Sequence, residues 1–453
     1  MHTIILVCLY FLSYFFPLLY GLSDSLLLGC GLIDSDAIDS YGRKWSPDST
    51  YTNSSTTIGA TFSYDPSLES PNTPHSIRFF TSETIYELPI KPDKRHMFRL
   101  HFYPIPYGNF DPEKSFFSVS ANHLVLLKNF NPSFTCRALS KSYIIQEYSL
   151  APLQTHSLSI IFTPSAGSFA FVNAMELFQM PDLYESATIT GSSDVVVKEN
   201  HFQTMFRLNV GGRTIPPPDD SGLTREWTAD TEFLTGSLGT LKNDIPTKIR
   251  IKRYQKFIAP RELYASSRSM SNYKRIALAF NLTWVFQVDP KSSYLIRLHF
   301  CDLFYRKPNE IVFQIYLNGK VAEPEADVIA WSGGKDVPTY RDYLIYLSEL
   351  DQKISVALHP SSQSKPEYMD ALLNGLELLK VTDSNGSLAS LNPLRNNIHE
   401  EEEAVPDTKF KKSKTNYITW GACLGAAAIG IVTVVCVIVY QQKKRVNGTK
   451  PDY

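Results

Sequence analysis

Between residue 24 and about residue 383, apolar and polar positions alternate in short runs broken by clusters of Pro, Gly, Asn, Asp and Ser. In Phe98-Arg99-Leu100-His101-Phe102, an extended backbone puts Phe98, Leu100 and Phe102 on one side and Arg99 and His101 on the other. The same period runs through part of residues 294–300, and residues 312–317 and 168–172 add further strand candidates. No long stretch carries apolar residues at helical spacing. Many short strands at fairly even spacing predict β-sandwiches.

Two segments depart from this pattern because they are apolar almost throughout. Residues 4–20, followed by Gly21, Ser23 and Asp24, predict a secretory signal peptide over residues 1–23. Residues 418–440 contain no charge and have the length of a membrane-spanning helix, with Lys443, Lys444 and Arg445 behind them as a stop-transfer cluster. Lys409, Lys411, Lys412 and Lys414 flank the other side, so the signal peptide sets the orientation: N-terminal region extracellular, a single-pass type I protein of the plasma membrane. Residues 384–417 hold an acidic cluster at Glu400, Glu401, Glu402 and Glu403, then a basic one, and read as an extracellular stalk. Residues 441–453 form a short cytoplasmic tail.

The alternation also repeats over a long period. Arg99-Leu100-His101-Phe102 recurs as Arg297-Leu298-His299-Phe300, and Asn173-Ala174-Met175-Glu176-Leu177 is echoed by Asn374-Gly375-Leu376-Glu377-Leu378. Earlier in each half, Arg43, Trp45 and Asp48 match Arg225, Trp227 and Asp230, and Gly31 parallels Gly211. Order and separation are kept, which isolated dipeptides would not do. The predicted fold is therefore all-β: two tandem β-sandwich domains over 24–180 and 201–383, a connector over 181–200, and a single transmembrane α-helix.

Composition narrows the chemistry. A formal net charge of −1 supplies no electrostatic footprint for a phosphate backbone, so nucleic acid is not an expected partner. Of six cysteines, Cys8 leaves with the signal and Cys423 and Cys436 fall in the apolar span, leaving Cys30, Cys136 and Cys301 outside. At most one intrachain bridge is available, and Cys30–Cys136, within one domain, is the expected pair. Asn53-Ser-Ser, Asn281-Leu-Thr and Asn385-Gly-Ser are candidate N-glycosylation sites, whereas Asn131-Pro-Ser is blocked by its proline.

Catalytic constellations are missing from the sequence: it has no His-Glu-x-x-His, Cys-x-x-Cys, Gly-x-Ser-x-Gly or phosphate loop, so no metal, cofactor or enzymatic activity is expected. His101 and His299 stand beside arginines and read as a polar face or as hydrogen-bonded sandwich positions. Glu176 and Glu377 would form a glycosidase pair only by flanking one scissile bond, and the repeat explains them better. Trp45 with Asp48, and Trp227 with Asp230, either plug a sandwich edge or cap a sugar. The aromatic loops at 103–110 and 303–308 are candidate carbohydrate contacts.

Taken together, the repeated Arg-Leu-His-Phe strands, the closing Asn-Ala-Met-Glu-Leu and Asn-Gly-Leu-Glu-Leu strands, and Asn209-Val210-Gly211-Gly212 followed by Pro216, Asp219, Asp220, Arg225, Trp227 and Asp230 resemble the malectin-like ectodomains of plant receptor kinases, the FERONIA and THESEUS group. The resemblance implies two malectin-like domains side by side and a cell-surface receptor that binds cell-wall oligosaccharide or a secreted peptide, with a full-length receptor kinase or co-receptor as partner. Such receptors continue into a kinase after the membrane helix. Residues 441–453 hold none of its motifs, so the expectation is a kinase-less receptor or the ligand-binding fragment of a receptor kinase.

Overall fold

The computed structural model describes residues 25–389, apart from 34, 53–56, 63–71, 191 and 271–273. The signal peptide, most of the stalk, the apolar span, the tail and Asn53 lie outside the described residues. No helix among the described residues is long and apolar enough to cross a membrane. The chain is mostly β, with a few short helices.

Eight strands carry the architecture: β1 (Leu26–Gly29), β2 (Arg95–Phe102), β3 (Ile144–Leu150), β4 (Ala174–Met180), β5 (Phe202–Asn209), β6 (Ser293–Phe300), β7 (Thr339–Tyr346) and β8 (Gly375–Val381). They lie side by side in one thirteen-stranded sheet in the order β7-β6-β8-β5-β3-β2-β4-β1. Each half thus repeats one strand order, and the halves meet where β5 pairs antiparallel with β3 through Tyr148–Gln203 and Ser149–Phe202. Both outer edges are covered, that of β1 by the parallel strand Lys44–Pro47 and that of β7 by the parallel strand Ser186–Ile189. Covering blunts the template that a bare edge would offer to another chain.

A second, four-stranded sheet belongs to each half. In the N-terminal half it runs Thr84–Pro89, Ser157–Pro164, Phe117–Ala121, Leu124–Phe130; in the C-terminal half it runs Leu282–Gln287, Lys353–Pro360, Phe313–Leu317, Lys320–Ala326. Phe98, Leu100 and Phe102 join Phe117, Phe162 and Phe171 in the first core; Leu298 and Phe300 join Trp284, Phe313 and Leu376 in the second. A third cluster at the junction takes Met97, Phe178, Tyr184, Phe202 and Leu379 from both halves. Every residue of β2 is buried, because the sheet face that carries Arg99 and His101 is covered as well.

Residues 384–389, placed by sequence at the start of a stalk, turn back onto the N-terminal half. Val125 N donates to Gly386 O (2.9 Å), Leu388 N donates to Val125 O (2.8 Å), and the Leu388 side chain is fully buried in the N-terminal core. Gly386, at φ +68°, allows the turn, and Asp383 Oδ1 accepts from Asn385 N and Ser387 N.

The expected Cys30–Cys136 disulfide is not formed; Cys30, Cys136 and Cys301 are three separate buried thiols. Sharing a domain does not bring two Cβ atoms to bonding distance. Cys30 leaves β1 beside Asp48 and Arg78, whereas Cys136 sits on the short helix Pro132–Ala138. Burial pushes both thiols up, that of Cys136 to about 12, where little reactive thiolate exists. The blocked sequon Asn131 caps that helix, its side chain accepting from Phe134 N (3.0 Å).

Candidate ligand-binding surface

The repeated polar residues form pegs inside each half. In the N-terminal half, His101 Nε2 lies 2.9 Å from Glu176 Oε1 and its ring meets Trp45 edge-on; in the C-terminal half, His299 Nε2 lies 3.2 Å from Glu377 Oε1 and its ring meets Trp227 edge-on. Both tryptophans are fully buried, with Trp45 Nε1 donating to Asp39 and Trp227 Nε1 to Asp220. They plug the sheet face and offer no sugar platform. Asp48 accepts from Gly31 N, Arg78 and Tyr86 Oη, and Asp230 accepts from Gly211 N, Arg268 and Trp284 Nε1. Gly31 and Gly211 both have positive φ, and a Cβ on either would strike a backbone carbonyl, that of Ile77 or Ser267.

The same arginine row fastens the halves together. Glu147 on β3 accepts from Arg99 Nε (2.7 Å), from Arg207 Nη2 of β5 (2.7 Å) and from Thr204 Oγ1 (2.7 Å). Arg207 Nε also donates to Glu377 (3.0 Å), and Arg99 reaches across to Leu223 O and Thr224 Oγ1. Residues three apart on a strand normally face opposite ways. A register shift between Thr204 and Phe206 admits an extra residue, so Thr204 and Arg207 converge on one carboxylate. Burial alone would raise Glu147, but Arg207 and Arg99 prevail and hold its carboxyl at about 2. Glu176 and Glu377 stay ionised for the same kind of reason: burial opposes the charge, and Arg99 with His101, or His299 with Arg207, overcome it. Each glutamate is locked into its own half, which does not fit a carboxylate pair flanking one scissile bond.

The loops that follow β2 and β6 present different surfaces. After β2, Phe110 stacks on Phe79 at 4.3 Å, Phe169 meets Phe110 edge-on, and Tyr107 and Phe110 exchange backbone hydrogen bonds. Phe79, Phe110 and Phe169 cover one another there, while Tyr107 stacks on Phe79 and stays 38% exposed. After β6, Phe304 is nearly half exposed, as is Tyr368 of the segment that leads to β8. Tyr305 packs against Tyr368 at 5.3 Å, and Lys242 Nζ lies over Phe304 (4.9 Å) while pairing with Asp370 (2.9 Å). Asp302 Oδ1 accepts from Phe304 N and Tyr305 N (both 2.9 Å), which fixes the aromatic pair. Burial pushes the Asp302 carboxyl up to about 6, and its second oxygen has no hydrogen-bond partner.

Asn281 and Asn385 are both exposed. Among the described residues no group of three or more His, Cys, Asp or Glu side chains is placed to hold a metal. Asp39, Glu147, Lys242 and Asp370 carry much of this geometry and were not singled out from the sequence. Asp39 was within reach of inspection, since both Asp39 and Asp220 precede their arginine and tryptophan at similar spacing.

The Malectin-like domain model matches residues 28–381. Receptor-like protein kinase ANXUR2 of Arabidopsis thaliana is 40% identical over 97% of this chain and 53% of its own length, and FERONIA of the same plant is 37% identical over 94% and 50%. The chain therefore spans about half the length of these curated relatives. Among solved structures, the ANXUR2 extracellular domain from Arabidopsis thaliana matches with a TM-score of 0.78 at 41% identity, covering 82% of this chain and 99% of that one. A structure of plant peptide RALF23 in complex with FER and LLG2 matches with a TM-score of 0.74 at 36% identity, covering 83% and 99%. On the family match over residues 28–381 and on its likeness in sequence and fold, the chain belongs to the malectin-like family and is closely similar to the ectodomains of the ANXUR and FERONIA receptor-like kinases.

Proposed function

We propose that this chain is the extracellular ligand-binding part of a plant plasma-membrane receptor, which engages a secreted peptide together with a co-receptor. The observation that carries the reading is the match across nearly the whole described fold to a chain in the complex of RALF23, FER and LLG2. Residues 4–20 and 418–440 support secretion and a single type I anchor. Output then depends on a protein kinase, carried by an associated receptor or by a longer form of the same polypeptide. A pull-down of the tagged chain from plant membranes, with added secreted peptide and co-receptor, tests the reading. Peptide-dependent co-receptor recovery supports it, and recovery indifferent to peptide counts against it.

A cell-wall oligosaccharide is a second ligand class, favoured by the partly exposed Phe304, Tyr305 and Tyr368 beside the Lys242–Asp370 pair. Rings of this kind meet the apolar faces of sugars, while the charged pair can reach hydroxyls. Retention of the chain on immobilised wall oligosaccharide, without cleavage, checks it.

A further inference from the structure

Away from those loops, the C-terminal half has a recess lined by Thr235, Ser237, Leu278, Phe280, Asn281 and His359. Its walls are held by backbone: Thr235 N donates to Thr283 O (2.9 Å), and Leu234 bridges Trp284 on the strand Leu282–Gln287. His359 Nδ1 lies 3.4 Å from Phe280 O, which ties the imidazole to the rim. On its rim Phe280 is 53% and Leu278 36% exposed. An exposed aromatic ring beside a candidate sugar-acceptor asparagine is a surface that a pyranose can cover. Asn281, exposed at the rim, opens the sequon Asn281-Leu282-Thr283.

We propose that Asn281 carries an N-linked glycan whose first N-acetylglucosamine lies in this recess and covers Phe280 and Leu278. An aromatic ring accepts the apolar face of a pyranose, and the Thr235 and Ser237 hydroxyls and the His359 ring supply polar partners for its hydroxyl and acetamido groups. In the transfer, the Asn281 Nδ2 amide forms a bond to C1 of the first sugar and loses one proton. The bond from C1 to the pyrophosphate oxygen of a lipid-linked oligosaccharide donor breaks, and the lipid pyrophosphate leaves. The site therefore rests on the extracellular placement proposed above. Asn385 provides the contrast, since it is exposed on the Asp383–Ser387 turn.

The test uses the full chain expressed in plant cells. Glycopeptide mass spectrometry is expected to find sugar on both Asn281 and Asn385. Sugar on Asn385 alone overturns the recess site and leaves the extracellular placement standing; sugar on neither overturns both. Trimming each glycan to its first sugar is expected to leave the melting temperature unchanged. Asn281→Gln is expected to lower it by about 1–3 °C and to raise hydrophobic-dye binding, while Asn385→Gln changes neither. Because Asn281→Gln can act through folding, Phe280→Ser is the second variant: with the glycan in place, it is expected to abolish the dye response to complete deglycosylation. An occupied Asn281 whose complete deglycosylation leaves dye binding and melting unchanged overturns the covering role.

Discussion

The two halves agree in their interiors and part company at their loop ends. Each packs a histidine against a glutamate and a buried tryptophan, and each uses an aspartate to gather an arginine, a glycine amide and an aromatic donor. The carboxylates and arginines among these groups are buried and charged, so losing one partner strands the other, and the arrangement tolerates little change. The loops after β2 and β6 face water and carry no such penalty. One stacks its aromatic residues on Phe79 and leaves Tyr107 38% exposed; in the other, Phe304 and the neighbouring Tyr368 are nearly half exposed beside a lysine–aspartate pair. In this fold, interior chemistry specifies the sandwich, and the loop ends are free to vary.

The junction between the halves offers the largest effect. Glu147→Ala strands Arg99 and Arg207 in a buried site and is expected to cost about 3–5 kcal/mol. It should also split a single denaturant transition into two, read by fluorescence. Glu147 titrates low in the folded chain, so its stabilisation is fully present above about pH 4.5 and is lost as pH falls toward about 2. Unfolding curves of the wild type and Glu147→Gln should therefore converge in that window.

Leu388→Ala removes a fully buried side chain that a residue beyond β8 contributes to the opposite half, and is expected to cost about 2–4 kcal/mol. Hydrogen exchange at Val125 and Leu388 should quicken, while β8 stays protected. An unchanged rate at both amides would break the link between the halves there.

Asp302 acts with the opposite sign. Its folded carboxyl titrates near 6, above the usual carboxylate range, so the folded chain bears a cost that is full above about pH 6 and vanishes below about pH 4. Asp302→Asn keeps an oxygen for the Phe304 and Tyr305 amides and is expected to stabilise by about 3 kcal/mol at pH 7 and hardly at all at pH 4. Thermal melts at the two values check it. The smallest structural effect is expected from Tyr368→Ala, within about 0.5 kcal/mol. If the loop end of the C-terminal half binds sugar, that variant loses oligosaccharide retention, whereas Tyr107→Ala in the loop after β2 does not.

The β bias and the doubled order of motifs are legible in the sequence because alternation and repeats are local signals. Arg99 and His101 read as polar positions, and their partner Glu176 stood in the matching strand. Their burial did not follow from the pattern, since what covers them comes from Trp45 and from Leu223 and Thr224 of the other half. Glu147 was invisible for a similar reason: its meaning depends on a strand pairing between halves and on one extra residue in β5. The Cys30–Cys136 expectation failed because counting thiols by compartment carries no information about where two side chains point. In the loops, the sequence marked the aromatic segments, but Lys242 and Asp370 arrive there from distant positions.

The return of residues 383–389 to Val125 determines how mechanical load enters the molecule. Tension arriving from beyond residue 389 is met by the Lys380 contact to Ala389 O, by the two Val125 hydrogen bonds and by the seated Leu388, before it reaches β8 between β5 and β6. These contacts are expected to yield first, as a fuse. Their release is expected to free about 20 Å of extended chain before either half unfolds. Single-molecule stretching should show this short extension first, and Leu388→Ala should lower the force at which it occurs.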